Sequence, residues 1–233
     1  MSKVKLSIIT PFKGESGLLY EFLKTHEKLI KNESLDFIII DSSEKKFLLK
    51  NSYLRYIHKP NLGLYEALNF GILNSKSKFY LTLGVDDKLT KEIFLALKNL
   101  SDKIDIASFP VKNCDFLLKS SFFRINHRQY VFQHSCSSII NKEIHSKIGL
   151  YPSSLKIASD SFIILGAKKV GYKIEVFDNI YIGIYGTKGI SSRNNLRATF
   201  EMYLVTKKLG YKFSSLYYLI SFALKFVIRC LNF

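Results

Sequence analysis

The chain of 233 residues is long enough to bury a core without disulfides, and its 19 Phe and 14 Tyr within a hydrophobic fraction of 47% exclude a mainly disordered protein. The 3 Cys form no CxxC pair and the 5 His form no HExxH motif, so their spacing suggests neither a disulfide framework nor a zinc site. The excess of 35 Lys and Arg over 19 Asp and Glu gives a formal charge of +16, which favours an anionic partner such as a nucleotide, a nucleic acid or an acidic lipid.

Apolar runs of strand length alternate with helical patterns in the amino-terminal part of the chain. The runs predicted as strands from their β-branched and aromatic content are 4–10, 35–41, 53–58 and 78–84. Between them, apolar positions recur at helical spacing, at Leu19, Phe22, Leu23, His26, Leu29, Ile30, Tyr65, Leu68, Asn69 and Ile72. This alternation predicts an α/β fold with a mostly parallel, Rossmann-like sheet flanked by helices.

Polar or turn-forming residues stand at the ends of these predicted strands, where open α/β sheets bind their ligands. They are Thr10, Pro11, Glu15, Asp41, Asp86 and Asp87. A single Asp usually caps the next helix, but the adjacent Asp86 and Asp87 exceed what one cap needs. Neighbouring carboxylates raise each other's proton affinity unless a cation absorbs their charge. The pair therefore predicts a divalent metal site.

The later chain continues the mixed pattern. The predicted elements are a strand at 104–111, an irregular aromatic and basic region at 114–137, helices at 141–152 and 158–171, and a strand at 172–185. Gly149 and Pro152 stop the first of these helices, and Ser159 or Asp160 caps the second. We expect the irregular region to lie on the acceptor side of the site or to form a lid.

The last segment, 202–233, is basic and apolar. It contains no acidic residue, and its cations are Lys207, Lys208, Lys212, Lys225 and Arg229. Its longest uncharged run, from Phe213 to Leu224, is shorter than the roughly 20 residues that span a bilayer. We expect a basic amphipathic helix that lies on an anionic membrane surface. A helix packed against the domain or against a partner is the alternative.

These patterns divide the chain into a domain at 1–200 and a C-terminal helical extension at 201–233. The apolar segment at the N-terminus is too short for a signal peptide and enters a predicted strand at once. The widely separated cysteines fit a reducing compartment. We therefore expect a cytoplasmic protein that associates peripherally with the inner face of the plasma membrane.

Several segments carry a resemblance to a known family. They are "SIITPFKGE" (7–15), "DFIIIDSSE" (36–44), "KPNLGLYEALNFGILNSKSKFYLTLGVDD" (59–87), "FQHSCSSIINKEIHSKIGLYPSSLKIASDSFIILGAKK" (132–169) and "TKGISSRN" (187–194). Together they resemble the family-2 glycosyltransferases with the GT-A fold, especially those that build bacterial surface polysaccharides such as colanic acid, O-antigen and capsule. The third segment is the most specific, because several residue types recur in it at the family's fixed offsets, and the resemblance extends over about residues 4–200.

The chain departs from the family pattern at three places. Its second predicted strand ends in "DSSEKK" instead of a Gly-rich "DGGSTDGT" run. Glu66 stands where Asp is common, and Ser161 and Phe162 follow Asp160 where an aromatic and an acidic residue are common. The first departure bears on how the ribose and the nucleobase are held. The last bears on the assignment of Asp160 as the catalytic general base.

The resemblance implies an inverting, metal-dependent transfer of a sugar from a nucleotide-sugar donor to a lipid-linked or growing glycan. Asp87 would ligate Mn²⁺ or Mg²⁺, which favour hard oxygen donors, and Asp86 would lie near the ribose or the water shell of the metal. Asp160 would act as the general base on the acceptor hydroxyl. A helix cap is the alternative role for Asp160.

The resemblance also implies nucleotide-binding roles for further residues. Thr10, Pro11 and Glu15 would frame the base, Asp41 would accept hydrogen bonds from the nucleotide, Tyr65 and Asn69 would line the pocket, and His134 would contact the diphosphate or the acceptor. Each has a structural alternative: a loop cap for Asp41, an interior helix face for Tyr65 and Asn69, and a packed core position for His134. Lys188, Arg193 and Arg197 either clamp phosphates or form a solvated basic face.

Two other classes of function remain open. A sugar nucleotidyltransferase should carry a Gly-rich phosphate loop after the first strand, whereas "TPFKGES" has a single Gly. A basic module that binds nucleic acid or a membrane surface is consistent with the charge alone, but no helix-turn-helix, RRM or zinc-finger pattern is present, and we expect no nucleic-acid partner.

Overall fold

The computed structural model describes residues 4–49, 51–113, 117–118, 122–125, 128–131, 134–186 and 194–231. Its strands are β1 (Leu6–Phe12), β2 (Leu35–Asp41), β3 (Leu54–His58), β4 (Phe79–Thr82), β5 (Lys88–Leu89), β6 (Ile106–Ser108), β7 (Val111–Asn113), β8 (Leu117–Leu118), β9 (Phe122–Ile125), β10 (Arg128–Val131), β11 (Ser138–Asn141), β12 (Ile174–Val176) and β13 (Gly183–Tyr185). Its helices are α1 (Ser16–Thr25), α2 (Glu27–Ile30), α3 (Leu64–Leu73), α4 (Ile93–Asn99), α5 (His145–Ile148), α6 (Ser159–Val170), α7 (Asn195–Lys208) and α8 (Lys212–Leu231).

The main sheet has seven strands in the order β3-β2-β1-β4-β11-β6-β12. Strands β1 to β4 are parallel, and β11 is antiparallel to both of its neighbours. The predicted α/β class with a mostly parallel sheet is therefore confirmed. Because β1 lies between β2 and β4, the carboxyl ends of these three strands meet at one edge of the sheet.

Alternation along the central strands sends side chains to two separate cores. In β1, Ile8 packs in one core and Ile9 in the other, and every residue of β2 is buried, as expected for a strand covered on both faces. Helix α3 lies very close to β1, since a Cβ on Gly71 would stand 2.3 Å from Ile9 Cγ2. The absence of a side chain at Gly71 thus lets α3 pack directly against the sheet.

Two predicted strands are wrong in extent. The run 104–111 forms β6 in the main sheet and then β7 in a second sheet, of order β5-β13-β7-β8. The run 172–185 also splits, because a turn at Asp178 and Asn179 interrupts its alternation, and β12 and β13 join different sheets. The second sheet carries β13 to the turn that follows β4.

The two predicted helices beyond residue 140 differ in outcome. The first is only a 3-10 turn at Lys142–Ile144 followed by α5, which ends at Gly149 with φ +80°. The second is confirmed as α6, but neither Ser159 nor Asp160 is its N-cap, since Ala158 occupies that position. Within the region predicted as a lid, 114–137, residues 114–116, 119–121, 126–127 and 132–133 lie outside the described residues, and the role as a lid stays a prediction.

Helices α7 and α8 pack against each other at the end of the chain. The rings of Phe200 and Phe222 are 5.1 Å apart, and Lys225 Nζ donates to Thr199 Oγ1 at 2.8 Å. Helix α7 runs across residue 200, so no break in secondary structure marks a boundary there. The division of the chain at residue 200 stays a prediction. Within the described part of the chain, no helix has the length and apolar content needed to span a bilayer.

Candidate active site

The turn after β4 places two carboxylates in different environments. Asp86 is exposed, whereas the side chain of Asp87 is buried. The Asp87 carboxylate accepts the N–H of Gly84 at 3.0 Å and the N–H of Gly186 at 3.0 Å, one on each oxygen. Asp87 is thus fixed by backbone donors from two loops.

The two glycines that hold this turn leave no room for a side chain. A Cβ on Gly186 would lie 2.6 Å from the carbonyl oxygen of Asp86, and a Cβ on Gly84 would lie 2.9 Å from Asp86 Oδ1. Real Cβ atoms do not approach other heavy atoms so closely. Glycine at both positions therefore lets the backbone close around the carboxylate pair.

A 3-10 turn at Ser135–Ser137 brings a histidine and a cysteine to the same place. Ligand atoms of Asp87, His134 and Cys136 all lie within 4.8 Å of one another. The His134 ring also stacks on Tyr185, with centroids 5.1 Å apart. Cys136 was not predicted from the sequence as a site residue. A signal was present, because Cys136 follows His134 by two residues just before β11, the strand that pairs with β4.

The donor set at this cluster fits a divalent cation. Burial raises the pKa of Asp87, and the charge of Asp86 adds to this, while the interactions with His134 and with the two backbone donors lower it. Burial also raises the pKa of the Cys136 thiol, followed by the charge of Asp87, which disfavours the thiolate that binds metals. Carboxylate oxygens with one imidazole are therefore the available ligands, and they suit Mn²⁺.

Asp160 lies in the first turn of α6 and is partly buried. Its Oδ1 accepts the N–H of Ser161 at 2.9 Å. Burial raises the pKa of Asp160, whereas the Ser161 N–H and the charge of His134 lower it. His134 lowers the pKa of both Asp87 and Asp160, so all three groups are near enough to interact electrostatically. The structure thus brings four of the predicted site residues together: Asp86, Asp87, His134 and Asp160.

Asp41 ends β2 and is fully buried. Its carboxylate accepts the N–H of Ser43 at 2.9 Å and the hydroxyl of Tyr56. The first bond is the local loop contact that the alternative interpretation required. Asp41 pairs in register with Phe12 at the end of β1, so it stands two strands from β4, roughly 10 Å away at the usual spacing. Its role toward a nucleotide stays a prediction.

Thr10 and Ser42 are buried near the carboxyl ends of β1 and β2. Neither hydroxyl has a hydrogen-bond partner among the described residues. An unpaired buried hydroxyl costs about 1–3 kcal/mol. Pro11 is partly buried, and Glu15 is exposed at the N-cap position of α1. Their roles in framing a base stay predictions.

Tyr65 and Asn69 bind the segment that leads into α6. The Tyr65 hydroxyl donates to the carbonyl of Ile157 at 2.6 Å, and it accepts the N–H of Ser159 at 3.3 Å. Asn69 forms two bonds with the backbone of Tyr151, at 2.8 and 3.0 Å. Both side chains therefore hold the chain near Asp160, and a contact with the nucleotide stays a prediction.

The three predicted phosphate clamps are only partly visible. Lys188 and Arg193 lie outside the described residues. Arg197, on α7, donates from Nε to Glu201 Oε1 at 2.8 Å. Its described contact is thus internal to the protein.

Comparisons with known proteins give structural matches alone: no family model matches the chain, and no curated protein does. A crystal structure of TarS from S. aureus has a TM-score of 0.68 at 17% identity, covering 88% of this chain and 39% of that chain. TarS 1-349 in complex with UDP-GlcNAc has a TM-score of 0.68 at 16% identity, with 87% and 66% covered. The mannosyltransferase PcManGT from Pyrobaculum calidifontis, in complex with GDP-Man and Mn²⁺, has a TM-score of 0.61 at 12% identity, with 88% and 63% covered.

The similarity spans nearly all of this chain but less than two thirds of the length of each of those three proteins. Identities this low speak to architecture alone. The chain has the GT-A glycosyltransferase fold.

Proposed function

We propose that the chain is an inverting, metal-dependent glycosyltransferase that uses a nucleotide-sugar donor. The observation that carries this proposal is the cluster of Asp87 and His134 beside Asp86 at one edge of a GT-A sheet, with Asp160 near enough to interact electrostatically with His134. Two structural neighbours support the donor class, since TarS is in complex with UDP-GlcNAc and PcManGT with GDP-Man and Mn²⁺.

Asp87 and His134 are the residues that would hold the cation, with Asp86 beside them. A divalent cation, when bound, would neutralise the departing diphosphate. The N–H groups of Gly84 and Gly186 keep the Asp87 carboxylate in place, so its orientation does not depend on the ligand. Preorganisation of this kind lowers the cost of binding a charged group.

Asp160 would remove the proton from the acceptor hydroxyl. Its raised pKa brings the carboxylate closer to the operating pH, where a general base is most effective. A single base that activates the acceptor on the face opposite the leaving group gives inversion at the anomeric carbon. His134, which interacts electrostatically with both carboxylates, would help to hold the cation and lie near the diphosphate or the acceptor.

The acceptor that we propose is a lipid-linked or growing glycan of bacterial cell-surface polysaccharide synthesis. A cavity of about 830 Å³ opens between the segment before α6, helix α7 and helix α8. Its lining includes Leu155, Arg197, Phe200, Glu201, Phe222 and Lys225. Cations beside aromatic rings suit an amphiphile that carries a phosphate, and the cavity lies next to the segment that leads to Asp160.

A donor panel tests the transferase. The purified chain is incubated with UDP, GDP and dTDP sugars and a polyprenyl-phosphate-linked acceptor, with Mn²⁺ or with EDTA, and nucleotide release and the anomeric configuration of the product are recorded. We expect metal-dependent release with one donor and an inverted product. Formation of a nucleotide sugar from a nucleoside triphosphate and a sugar phosphate would instead identify a nucleotidyltransferase, and salt-sensitive binding of DNA or RNA without any donor would identify a nucleic-acid module.

The membrane part of the proposal rests on helix α8, whose polar side chains face the protein and whose apolar side chains face outward. Its inward positions are Ser214, Ser215 and Tyr218, which are small or polar and buried. Its outward positions are large and apolar, each at least 42% exposed: Phe213, Leu216, Tyr217, Leu219, Ile220, Leu224, Phe226, Val227 and Ile228. An exposed face of this kind marks an interaction surface.

An anionic bilayer is the partner that the charges favour for this face. Lys207, Lys208 and Lys212 stand at one end of the face, and residues 202–233 contain no acidic side chain. A second copy would bring the same cations together, against a net charge of +16 on each chain. We place the protein at the inner face of the plasma membrane, where anionic lipids are enriched.

Vesicle sedimentation tests this placement. The full chain should bind vesicles that contain phosphatidylglycerol better than pure phosphatidylcholine vesicles, and salt should weaken the binding. The Leu216→Ser/Ile220→Ser double variant should lose most of it, whereas a Leu18→Ser/Leu73→Ser control, which changes exposed leucines on α1 and α3, should keep it. A stable dimer in solution with no vesicle binding would assign the face to a second copy instead.

A further inference from the structure

Glu201 is a buried carboxylate with an unusual set of partners. It lies on α7 and is 3% exposed. Its two oxygens accept the backbone N–H groups of three consecutive residues: Lys156 at 3.0 Å, Ile157 at 2.7 Å and Ala158 at 3.0 Å. Arg197 Nε adds a fourth donor at 2.8 Å. No sequence pattern had singled out this residue.

The three N–H groups belong to the segment that immediately precedes Asp160. Ala158 is the N-cap of α6, and Asp160 is in the first turn of that helix. On the opposite side, the Tyr65 hydroxyl binds the carbonyl of Ile157 and the N–H of Ser159. The backbone at 156–159 is therefore held by α7 on one side and by α3 on the other.

We propose that Glu201 is a positioning residue for Asp160, the general base that activates the acceptor hydroxyl. Glu201 fixes the backbone at 156–158 and thereby sets the position of the Asp160 carboxylate. This inference rests on the proposed role of Asp160 as the base. Asp160 receives its own side-chain bond from Ser161 within the same turn, so that bond cannot locate the turn relative to the sheet. The bonds to Glu201 and Tyr65 supply that location.

The charge of Glu201 contributes a second effect. Burial raises the pKa of Glu201, but the bonds from Arg197 and from the three amides outweigh burial and leave the pKa below its ordinary value. The resulting negative charge raises the pKa of Asp160, and the charge of His134 opposes it. The tyrosines that interact with Asp160 are Tyr65 and Tyr151, and burial raises the pKa of both, so they stay neutral.

A purely structural role for Glu201 would predict a different result. In that case loss of the carboxylate would leave three amides unpaired and lower stability, without a specific effect on the transfer step. A displaced base, in contrast, slows transfer while donor binding is unchanged, because misplacement by about 1 Å can cost about 100-fold in rate. The two roles therefore differ in how kcat and KM divide the loss.

The experiment compares Glu201→Gln with a matched control, Asp36→Asn. Asp36 is also a buried carboxylate paired with an arginine, Arg55, but it lies near the amino end of β2, at the opposite edge of the sheet. We expect Glu201→Gln to lower kcat about 10–100-fold with the donor KM unchanged, and to move the acid limb of the kcat profile to lower pH. Glu201→Asp, which keeps the charge, should recover the position of that limb and part of the rate.

Two outcomes would overturn the inference. One is a Glu201→Gln variant whose kcat, KM and acid limb match those of Asp36→Asn at equal loss of thermal stability. The other is a ¹³C-carboxyl NMR titration in the absence of substrates that finds the same Asp160 pKa in wild type and Glu201→Gln, where a decrease is expected. Since the titration needs no turnover, it decides the coupling even if the chain proves to have no transferase activity, which would be a failure of the proposed function alone.

Discussion

Asp87 and Asp160 are both carboxylates whose pKa is raised by burial, but the protein holds them in opposite ways. Asp87 is held through its side chain, because each of its oxygens accepts a backbone N–H from a different loop. Asp160 is held through its backbone, since Glu201 and Tyr65 bind the residues just before it.

This difference fits two kinds of chemistry. A ligand for a cation benefits from oxygens that cannot rotate, because the ion then meets a fixed geometry. A base must receive a proton on an oxygen that is not already committed to several donors, so the protein fixes its backbone and leaves the carboxylate accessible. The contrast predicts distinct consequences for substitutions around Asp87 and around Asp160.

Removal of the base should have the largest effect. We expect Asp160→Asn to lower kcat about 10²–10⁴-fold, the usual contribution of general-base catalysis, while the Kd of the donor is unchanged. The measurement pairs steady-state transfer with donor binding by calorimetry. Equal rates for wild type and variant would assign Asp160 to a structural role and end the contrast with Asp87.

Crowding the metal side should have the next largest effect. A Cβ in Gly186→Ala would collide with the carbonyl and carboxylate of Asp86, so the turn must shift and the N–H bond to Asp87 must lengthen. Loss of such a supporting bond typically costs about 10–100-fold in metal affinity. Mn²⁺ titration followed by electron paramagnetic resonance measures it. Gly17→Ala is the control, because open space surrounds that position, and it should bind the ion like wild type.

The sequence predicted the part of this contrast that is local along the chain. The strands β1 to β4 and the Asp86–Asp87 pair follow from short-range alternation and from residue types at strand ends. The supports of the two carboxylates do not: Gly186 binds Asp87 from 99 residues away, and Glu201 binds Ile157 from 44 residues away. Such bonds arise only when β13 and α7 pack beside the site, and no local pattern encodes that packing.

The same long-range packing explains the strand that was predicted wrongly at 172–185. Its alternation is genuine on both halves, but Asp178 and Asn179 turn the chain out of the main sheet. Residues 183–185 then pair with β7 and β5 and deliver Gly186 to the acidic turn. Predicting one strand over 172–185 misses the placement of Gly186, because periodicity does not show which sheet a strand joins.

The free energy of unfolding should show, without substrate, how much the ionised Asp160 carboxylate destabilises the folded protein. The pKa of Asp160 is raised in the folded state, so the folded protein binds more protons than the unfolded chain between the two pKa values. The free energy of unfolding therefore falls as pH rises from about 4, the unfolded value for Asp, through the raised folded value. Asp160→Asn removes this loss and should be more stable than wild type at neutral pH, with the advantage disappearing at acid pH. Urea unfolding at both pH values checks it, and a pH-independent difference would contradict the assigned cause.

The smallest effect should come from the cysteine at the metal cluster. Cys136 Sγ lies 3.2 Å from His134 Nδ1, and the backbone of Cys136 packs so closely on Gly183 that a Cβ there would stand 2.4 Å from its carbonyl oxygen. These contacts are those of a packed core residue, and Mn²⁺ prefers oxygen ligands over a thiol. Cys136→Ser should therefore keep Mn²⁺ affinity and transfer within about twofold, whereas His134→Ala, which removes an available donor, should lower affinity by roughly the 10–100-fold typical of weakened metal sites. If Cys136→Ser lowers Mn²⁺ affinity as much as His134→Ala does, the metal ligands are Asp, His and Cys. That donor set favours Zn²⁺, and it would contradict a metal site built on oxygen ligands around Asp87.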